Sequence, residues 1–379
     1  MKMNSICYSI YNFFPREGGA EKFVRVLARN IRSGGESPLV ATLQLNKNWK
    51  RKEVVDGMRV YRIPVLRLFG VNKMGKIGKW FYGIGVCIFL LRKAKEYSVF
   101  HANGCTFFSF VGVFVSHILK KKVVLTVHGN WDSQELKRIS GKRICRRLLY
   151  FNRVVSVNRK IFNDLRTMGF DNKKLLRIYN GVDTREYFNE PKETNSPGTK
   201  QIIFIGGLRP VKNVDLLIKT ISVVRKRRGD IRLTIVGSGP LENDLKALTR
   251  KIGGEHYINF AGRQGNVIPF LRSADIFVLP SREEGMSIAL LEAMASGLPC
   301  VASNVDGNRE VIKHGENGLL FEPNKIEDLG QLITIILDHP EYGKNLGKNA
   351  RKTVEQRFSL ETMAKKYVNC YSSLLSCGS

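Results

Sequence analysis

The sequence predicts an α/β protein built of two doubly wound, Rossmann-like units. Three observations carry that expectation. The chain has 379 residues, too many for one ordinary hydrophobic core. Short β-rich runs alternate with helical stretches along most of its length, the pattern of parallel sheets covered on both faces. The alternation is interrupted at NEPKETNSPGTK (189–200), a polar stretch with two prolines and no periodicity, which reads as a linker. The expected domains are therefore residues 1–188 and 201–355, joined by 189–200, with residues 356–379 forming a C-terminal helix that returns to the first domain.

Each element follows in order. Residues 2–12 form the first strand and PREGGAE (15–21) a glycine-bearing turn. A helix comes next, with Phe23, Val26, Leu27 and Ile31 at helical spacing and Gly34-Gly35 as its stop. PLVATL (38–43), MRVYRIPVL (58–66), KVVLTV (122–127) and RVVSV (153–157) are further strands of the first half. Beyond the linker come QIIFIGGL (201–208), a helix from about Val214, RLTIVGSG (232–239) and a helix from Leu241. INFAGR (258–263), ADIFVLPS (274–281) and GLPCVAS (297–303) follow. Leu360, Met363, Ala364, Tyr367, Val368 and Tyr371 make a closing helical stripe that must pack on something. Two such halves face each other across a cleft. Ligands of these sheets bind outside the strand C-terminal ends, where helix N-termini attract anions, so a phosphate-bearing ligand is expected there.

Composition narrows the classes. Hydrophobic residues are 43% and charged residues 25%, which fits a soluble globular protein and excludes disordered, collagen-like and disulfide-scaffold chains. The seven cysteines lie far apart with no C-x-x-C and no histidine at ligand spacing. They read as buried apolar residues in a reducing compartment, not as a disulfide framework or a zinc site. The formal charge is +29, of which +23 falls in residues 1–190. Such asymmetry calls for a polyanionic partner. Lys120-Lys121-Lys122, Lys142-Arg143 and Arg146-Arg147 are not accompanied by an RRM-like or finger-like motif, so nucleic acid is not the expected partner.

The start, MKMNSICYSIYNFF, is not read as a signal peptide, since polar residues interrupt its apolar run. The most apolar stretches, residues 80–91 and 105–119, fall short of the roughly 20 residues of a spanning helix. The expectation is a cytosolic protein, peripheral on the cytoplasmic face of the inner membrane, touching an anionic membrane surface from the side. Arg67, Lys73, Lys76 and Lys79, leading into WFYGIGVCIFLL and Arg92-Lys93, are the docking element in that reading. The alternative is a buried core helix with solvated lysines.

Residues 281–303, SREEGMSIALLEAMASGLPCVAS, carry Glu284 and Glu292 eight positions apart. On one continuous helix that spacing is roughly 800° of rotation and about 12 Å of rise, too far to share a proton. The flanking pattern instead places Glu284 on a loop leaving a buried strand and Glu292 within the following helix. Spacing alone favours ordinary charges, Glu284 at a helix N-terminus and Glu292 half exposed, over two ends of one site.

This segment resembles the E-x7-E signature of the family-four retaining glycosyltransferases, the "glycosyl transferases group 1" type with the GT-B fold. GGAEKFV (18–24), TVHGN (126–130), YNGVD with Phe188, GGLRPVKN (206–213) and VGSGPLENDL (236–245) resemble other motifs of that family, in its order. INFAGR, GNREVI (307–312), NGLLFEP (317–323) and FSLETMAKKY (358–367) continue the likeness. It covers nearly all of the second half and islands of the first.

The resemblance implies a nucleotide-diphosphate sugar, UDP- or GDP-linked, as donor substrate, with no cofactor or metal. Glu292 would accept hydrogen bonds from the ribose hydroxyls. Glu284 would hold the donor sugar, and the amides of Gly285, Met286, Ser287 and Ile288 would meet sugar and phosphate oxygens at a helix N-terminus. Lys212 matches the family's lysine facing the diphosphate. The arginine that commonly precedes it by five residues is here Gly207, and Arg209 is the candidate to replace it. Gly18 and Gly19 would let the backbone approach the diphosphate, His128 would contact the donor sugar, and Arg263 would lie near the nucleobase. The acceptor would be a glycan, lipid-linked, in cell-surface polysaccharide or lipopolysaccharide synthesis. Three rivals compete. A dinucleotide dehydrogenase lacks its fingerprint, because GSGPLE (237–242) has no third glycine. A sugar-nucleotide epimerase or phosphorylase on the same fold is the alternative enzyme, and a basic nucleic-acid binder the non-enzymatic one.

Overall fold

A computed structural model describes residues 5–15, 18–31, 37–64, 76–129, 132, 134, 136, 151–187 and 198–376. The chain divides into two compact units, 1–180 with 363–379, and 181–362.

The first unit holds an eight-stranded sheet. Its strands are β1 (Ser5–Ser9), β2 (Leu39–Gln44), β3 (Lys52–Val55), β4 (Met58–Pro64), β5 (Tyr97–Asn103), β6 (Lys122–Val127), β7 (Arg153–Ser156) and β8 (Leu175–Arg177). They lie in the order β3-β4-β2-β1-β5-β6-β7-β8, and every pairing is parallel except β3 with β4. Helices α1 (Gly19–Asn30), α2 (Lys76–Arg92), α3 (Phe107–Ile118) and α4 (Arg159–Thr167) accompany it. Ile6, Cys7, Tyr8, Val99, Phe100, Val123, Val124 and Leu125 are buried, as expected of central parallel strands covered on both sides. The chain leaves β1 towards β2 on one side and β5 towards β6 on the other, so the switch point lies between β1 and β5.

The second unit holds β9 (Lys200–Ile205), β10 (Ile231–Val236), β11 (Ile258–Gly262), β12 (Ile276–Leu279), β13 (Cys300–Ser303) and β14 (Leu319–Phe321). The order is β11-β10-β9-β12-β13-β14, all parallel. Its helices are α5 (Val214–Arg227), α6 (Glu242–Lys251), α7 (Ile268–Ser273), α8 (Ile288–Ala295), α9 (Asp306–Arg309), α10 (Ile326–Asp338) and α11 (Pro340–Arg357). Here the switch point falls between β9 and β12. Both loops that carry the predicted lysine and first glutamate leave the sheet at that point.

The last helix, α12 (Leu360–Ser376), buries Met363, Tyr367, Cys370, Tyr371 and Leu374. Its Tyr371 hydroxyl lies 2.7 Å from His101 Nδ1, and the Tyr367 hydroxyl 3.0 Å from Thr126 Oγ1. The closing stripe packs within the first unit. Val368 is exposed, because the buried face turns through Cys370 instead.

Other expectations shift. The division falls after Asn180 and not after residue 188, since Gly181–Tyr187 belong with the second unit. Val182 N donates to Phe358 O at 3.1 Å, and Leu360 N to Val182 O at 2.9 Å. Most of the predicted linker, residues 188–197, lies outside the described residues, as do Phe188, Gly34-Gly35, Arg67, Lys73, Cys145, Lys142-Arg143 and Arg146-Arg147. In α1, Val24 is buried where Val26 was expected. The strands at 201–208 and 232–239 end earlier, at Ile205 and Val236, because their glycines turn out of the sheet. Among the described residues no helix is long and apolar enough to cross a membrane.

Candidate active site

In the second unit the chain leaves β12 through Pro280–Ser287 and enters α8. Ser287 caps that helix, its Oγ accepting from Leu290 N at 3.3 Å, a favoured N-cap arrangement. The loop is fixed from two directions. Arg282 N donates to Val211 O at 2.8 Å, and Ser303 Oγ donates to Ser281 O. Gly307, in α9, lies directly against it: a Cβ there would stand 2.4 Å from Gly285 O and 2.6 Å from Glu284 O. Only glycine permits that approach.

Glu284 lies at the centre of this loop. Its Oε1 accepts from Lys212 Nζ at 2.5 Å and from Ser281 Oγ at 2.6 Å. The carboxylate side chain is 9% exposed and the lysine 21%, so the pair is shielded without being sealed. Lys212 ends a 3-10 turn, Pro210–Lys212, and Asn213 follows with φ 53°. That left-handed residue is buried, and its side-chain Nδ2 donates to Asn324 Oδ1 at 3.2 Å, which holds the end of the turn that carries Lys212. Behind it, Gly237 (φ 143°) backs onto Gly206, whose oxygen a Cβ would meet at 1.9 Å. Gly207 is open, its nearest neighbour to a Cβ being Ser238 O at 3.9 Å. Arg209 is exposed.

Glu292 has different surroundings. It lies in α8, 2% exposed, and its Oε1 accepts from the Tyr187 hydroxyl at 2.9 Å. Burial, then the neighbouring carboxylate, push the Tyr187 phenol far above its ordinary range, so it stays protonated and remains a donor. Arg351 donates to Ala295 O at 3.1 Å and Tyr187 O at 3.5 Å, tying the tyrosine to the end of α8. Met286 and Ser287 are buried, Gly285 and Ile288 half-buried. Arg263 follows β11 at the surface, beside Gly262, whose oxygen accepts from Gly237 N at 2.7 Å.

In the first unit, Gly18 N donates to Glu21 Oε2 at 2.8 Å, so the carboxylate caps this end of α1. Gly19 opens the helix with nothing within 4 Å of a Cβ. His128 follows β6. Its Nε2 lies 3.4 Å from Asn103 Oδ1, and its ring meets Phe23 edge-on at 4.8 Å. Burial lowers its pKa to about 4, against a smaller upward pull from Asp132, so the imidazole is neutral at neutral pH. Asp132 ties two strand ends together, accepting from Cys105 N at 2.9 Å and His128 N at 3.0 Å. Among the described residues no three His, Cys, Asp or Glu side chains gather as metal ligands.

Known proteins resemble this chain. Residues 17–186 match the family described as Glycosyltransferase Family 4, and residues 186–353 match Glycosyl transferases group 1. A glycosyltransferase of Methanocaldococcus jannaschii, MJ1178, is 30% identical over 268 residues, covering 70% of this chain and 72% of that protein. The chain is a group 1 glycosyltransferase. Another relative of this glycosyltransferase is the UDP-Gal:alpha-D-GlcNAc-diphosphoundecaprenol alpha-1,3-galactosyltransferase of Escherichia coli, 26% identical over 76% of this chain and 79% of that one. The crystal structure of Anabaena Alr3699/HepE in complex with UDP and glucose matches with a TM-score of 0.80 at 19% identity, covering 98% of this chain and 100% of that chain. The two sheets are thus the two Rossmann-like domains of a GT-B enzyme.

Within the transferase, the structure brings Glu284, Lys212 and Gly285 into one hydrogen-bonded loop system, and holds Glu292 apart in the helix core. Sequence reasoning missed Tyr187, Ser281, Arg351 and Gly307 as supports of the glutamates. Gly307 stood within a quoted motif and Tyr187 beside one. Nothing in their spacing named a partner.

Proposed function

We propose that this glycosyltransferase moves a sugar, with retention of configuration, from a UDP- or GDP-sugar to a glycan acceptor carried on a lipid. It would act peripherally at the cytoplasmic face of the inner membrane, in the synthesis of cell-surface polysaccharide or lipopolysaccharide. The observation that carries the donor assignment is the contrast between the two glutamates. Glu292 is an almost fully buried carboxylate anchored by Tyr187. An ionised carboxylate only accepts hydrogen bonds, which suits it to the two vicinal hydroxyls of a ribose. Glu284 sits instead in a partly open loop, neutralised by Lys212. A sugar diphosphate offers each of that pair a new partner: hydroxyls for Glu284, phosphate oxygens for Lys212.

In the reaction the bond from the anomeric carbon to the diphosphate oxygen breaks. The acceptor hydroxyl oxygen bonds to the same carbon from the same face, and its proton passes to the departing phosphate. Lys212 is the cation that offsets the charge developing on that leaving group. His128, neutral above about pH 4, is assigned to the donor sugar through a hydrogen bond and not as a cation. The name of the E. coli relative, with its UDP-Gal donor and diphosphoundecaprenol-linked acceptor, supports both halves of the reading.

The test is thermal stabilisation by a panel of UDP-, GDP- and other activated sugars, since a saturating ligand adds measurable stability. One donor class should stabilise the wild type, and Glu292→Ala should weaken it by about 1.5–3 kcal/mol, the worth of charged hydrogen bonds. Equal binding by Glu292→Ala would remove the ribose assignment.

A further inference from the structure

Helix α2 buries Val86 and Leu90 and leaves Ile84, Ile88 and Leu91 exposed at 52%, 45% and 55%. Spaced four and three residues apart, these three share one side of the helix. Helix α3 repeats the pattern, burying Val113 and Val115 and exposing Phe114 at 48% and Ile118 at 64%. Both helices connect strands in the same direction across the sheet, β4 to β5 and β5 to β6. Right-handed crossovers therefore put them on the same face, and they pack side by side. Single exposed apolar residues are ordinary, but five large ones on adjoining helices mark an interaction surface.

The stretch of sequence that contains both helices carries charge almost entirely of one sign. From Asp56 to Asp132 the intervening chain has one carboxylate, Glu96, against twelve Lys and Arg. Glu96 is itself occupied, by Lys93 at 2.6 Å and Arg59 at 2.6 Å. Arg92, Lys95 and Lys120 are exposed where the two helices end, next to Leu91 and Ile118.

We propose that the outer face of α2 and α3 is a docking surface for an anionic lipid bilayer. Ile84, Ile88, Leu91, Phe114 and Ile118 enter the headgroup boundary, and Arg92, Lys95 and Lys120 lie among the lipid phosphates. Charge complementarity decides the occupant. A second copy of this chain would bring like charges together, which opposes association, whereas an anionic leaflet attracts every basic residue on the rim. The inference deepens the membrane half of the function proposed above and is independent of its donor half.

The experiment is co-sedimentation of the full chain with phosphatidylcholine vesicles, with and without phosphatidylglycerol. The wild type should sediment with the anionic vesicles at low salt and be released at high salt. Lys120→Glu should lower its partition about fivefold or more, since one basic residue near an anionic leaflet is worth about that factor. Ile88→Glu with Ile118→Glu should abolish binding while keeping the wild-type melting temperature, because both positions face outward. Equal binding to neutral vesicles, or variants that partition like wild type, would overturn the proposal. So would a wild-type dimer that the double variant splits, which would make the face a contact between copies. Failure of the donor reading shows separately, as no stabilisation by any nucleotide sugar in vesicle-free solution.

Discussion

Replacing Gly307 by alanine should cripple turnover while leaving nucleotide binding nearly intact. The added Cβ would lie 2.4 Å from Gly285 O, where ordinary contact begins at 3.4 Å. The shortfall is 1.0 Å, and the atoms in the way are backbone of Glu284 and Gly285, not the flexible end of a side chain. The loop must therefore move, and it carries the Glu284 carboxylate with it. A misplacement of about 1 Å costs on the order of 10²-fold in rate when the displaced group positions the reacting centre. Overpacking of this kind also costs about 1–3 kcal/mol of stability. Glu292 lies farther along, in the buried body of α8, and should keep the nucleotide-binding role proposed for it. Release of nucleoside diphosphate from the donor measures turnover, and calorimetry with the free nucleoside diphosphate measures binding. Gly207→Ala is the matched control, because its Cβ finds nothing nearer than 3.9 Å. If Gly307→Ala turned over within about twofold of that control, a difference too small to reflect lost transition-state contacts, the loop would not be what positions Glu284.

Three further outcomes follow from the same geometry. Tyr187→Phe removes the hydroxyl that holds Glu292 without opening a cavity, so affinity for the nucleotide should fall about tenfold with kcat little changed; unaltered affinity by calorimetry would show that the bond does not position the carboxylate. Lys212→Ala and Arg209→Ala should each slow the reaction and combine non-additively, because both would serve one diphosphate; full activity of Arg209→Ala would assign that charge to Lys212 alone. His101 and His128 have folded pKa values lowered to about 3 and about 4, burial being the main cause in each. The unfolded chain titrates them near the ordinary value of about 6.5 and so binds the additional protons below it. The stability they support is complete above that value and is lost as pH falls towards 4. Denaturation midpoints should drop between pH 7 and pH 5, and His101→Gln should flatten that dependence.

Much of the order of strands and helices was legible because parallel strands covered on both sides leave short, fully apolar runs, such as DIFVLP and KVVLTV, between glycine-rich turns. Strands β3, β5, β8 and β14, which are short or carry polar residues, were not among the expected strands. The ends of the expected strands were not legible. GGL after β9 and GSG after β10 read as strand continuations, yet Gly206, Gly237 and Gly239 form a layer of backbone against backbone that no side-chain pattern records. The chain positions of Glu284 and Glu292 followed from local pattern alone, one on a loop and the other in a helix. What holds them did not follow. Tyr187 meets Glu292 across 105 positions and Lys212 meets Glu284 across 72, and a contact of that range depends on sheet topology, which spacing cannot express. Glu292 itself, half exposed on helical spacing, is buried because α11 covers its helix and Arg351 closes one end.

Helix α2 shows the same limit in another form. Its sequence, KIGKWFYGIGVCIFLLR, is apolar on every side, so helical periodicity cannot separate a core face from an outer one. A docking helix and a core helix looked like exclusive readings for that reason. Placement on the sheet removes the conflict: Val86 and Leu90 point into the layer, while Ile84, Ile88 and Leu91 point away from it. Among the described residues the outer side of this apolar helix is not covered by neighbouring α3, since Phe114 and Ile118 are exposed beside it. The excess of +23 in the first 190 residues belongs to the same problem. Repulsion among these charges opposes the compact state, and an anionic surface would relieve it at the face where the apolar side chains also lack cover. The bilayer contact proposed above would account for both the charge and the exposed apolar stripe, whereas an acidic soluble acceptor would account for the charge alone.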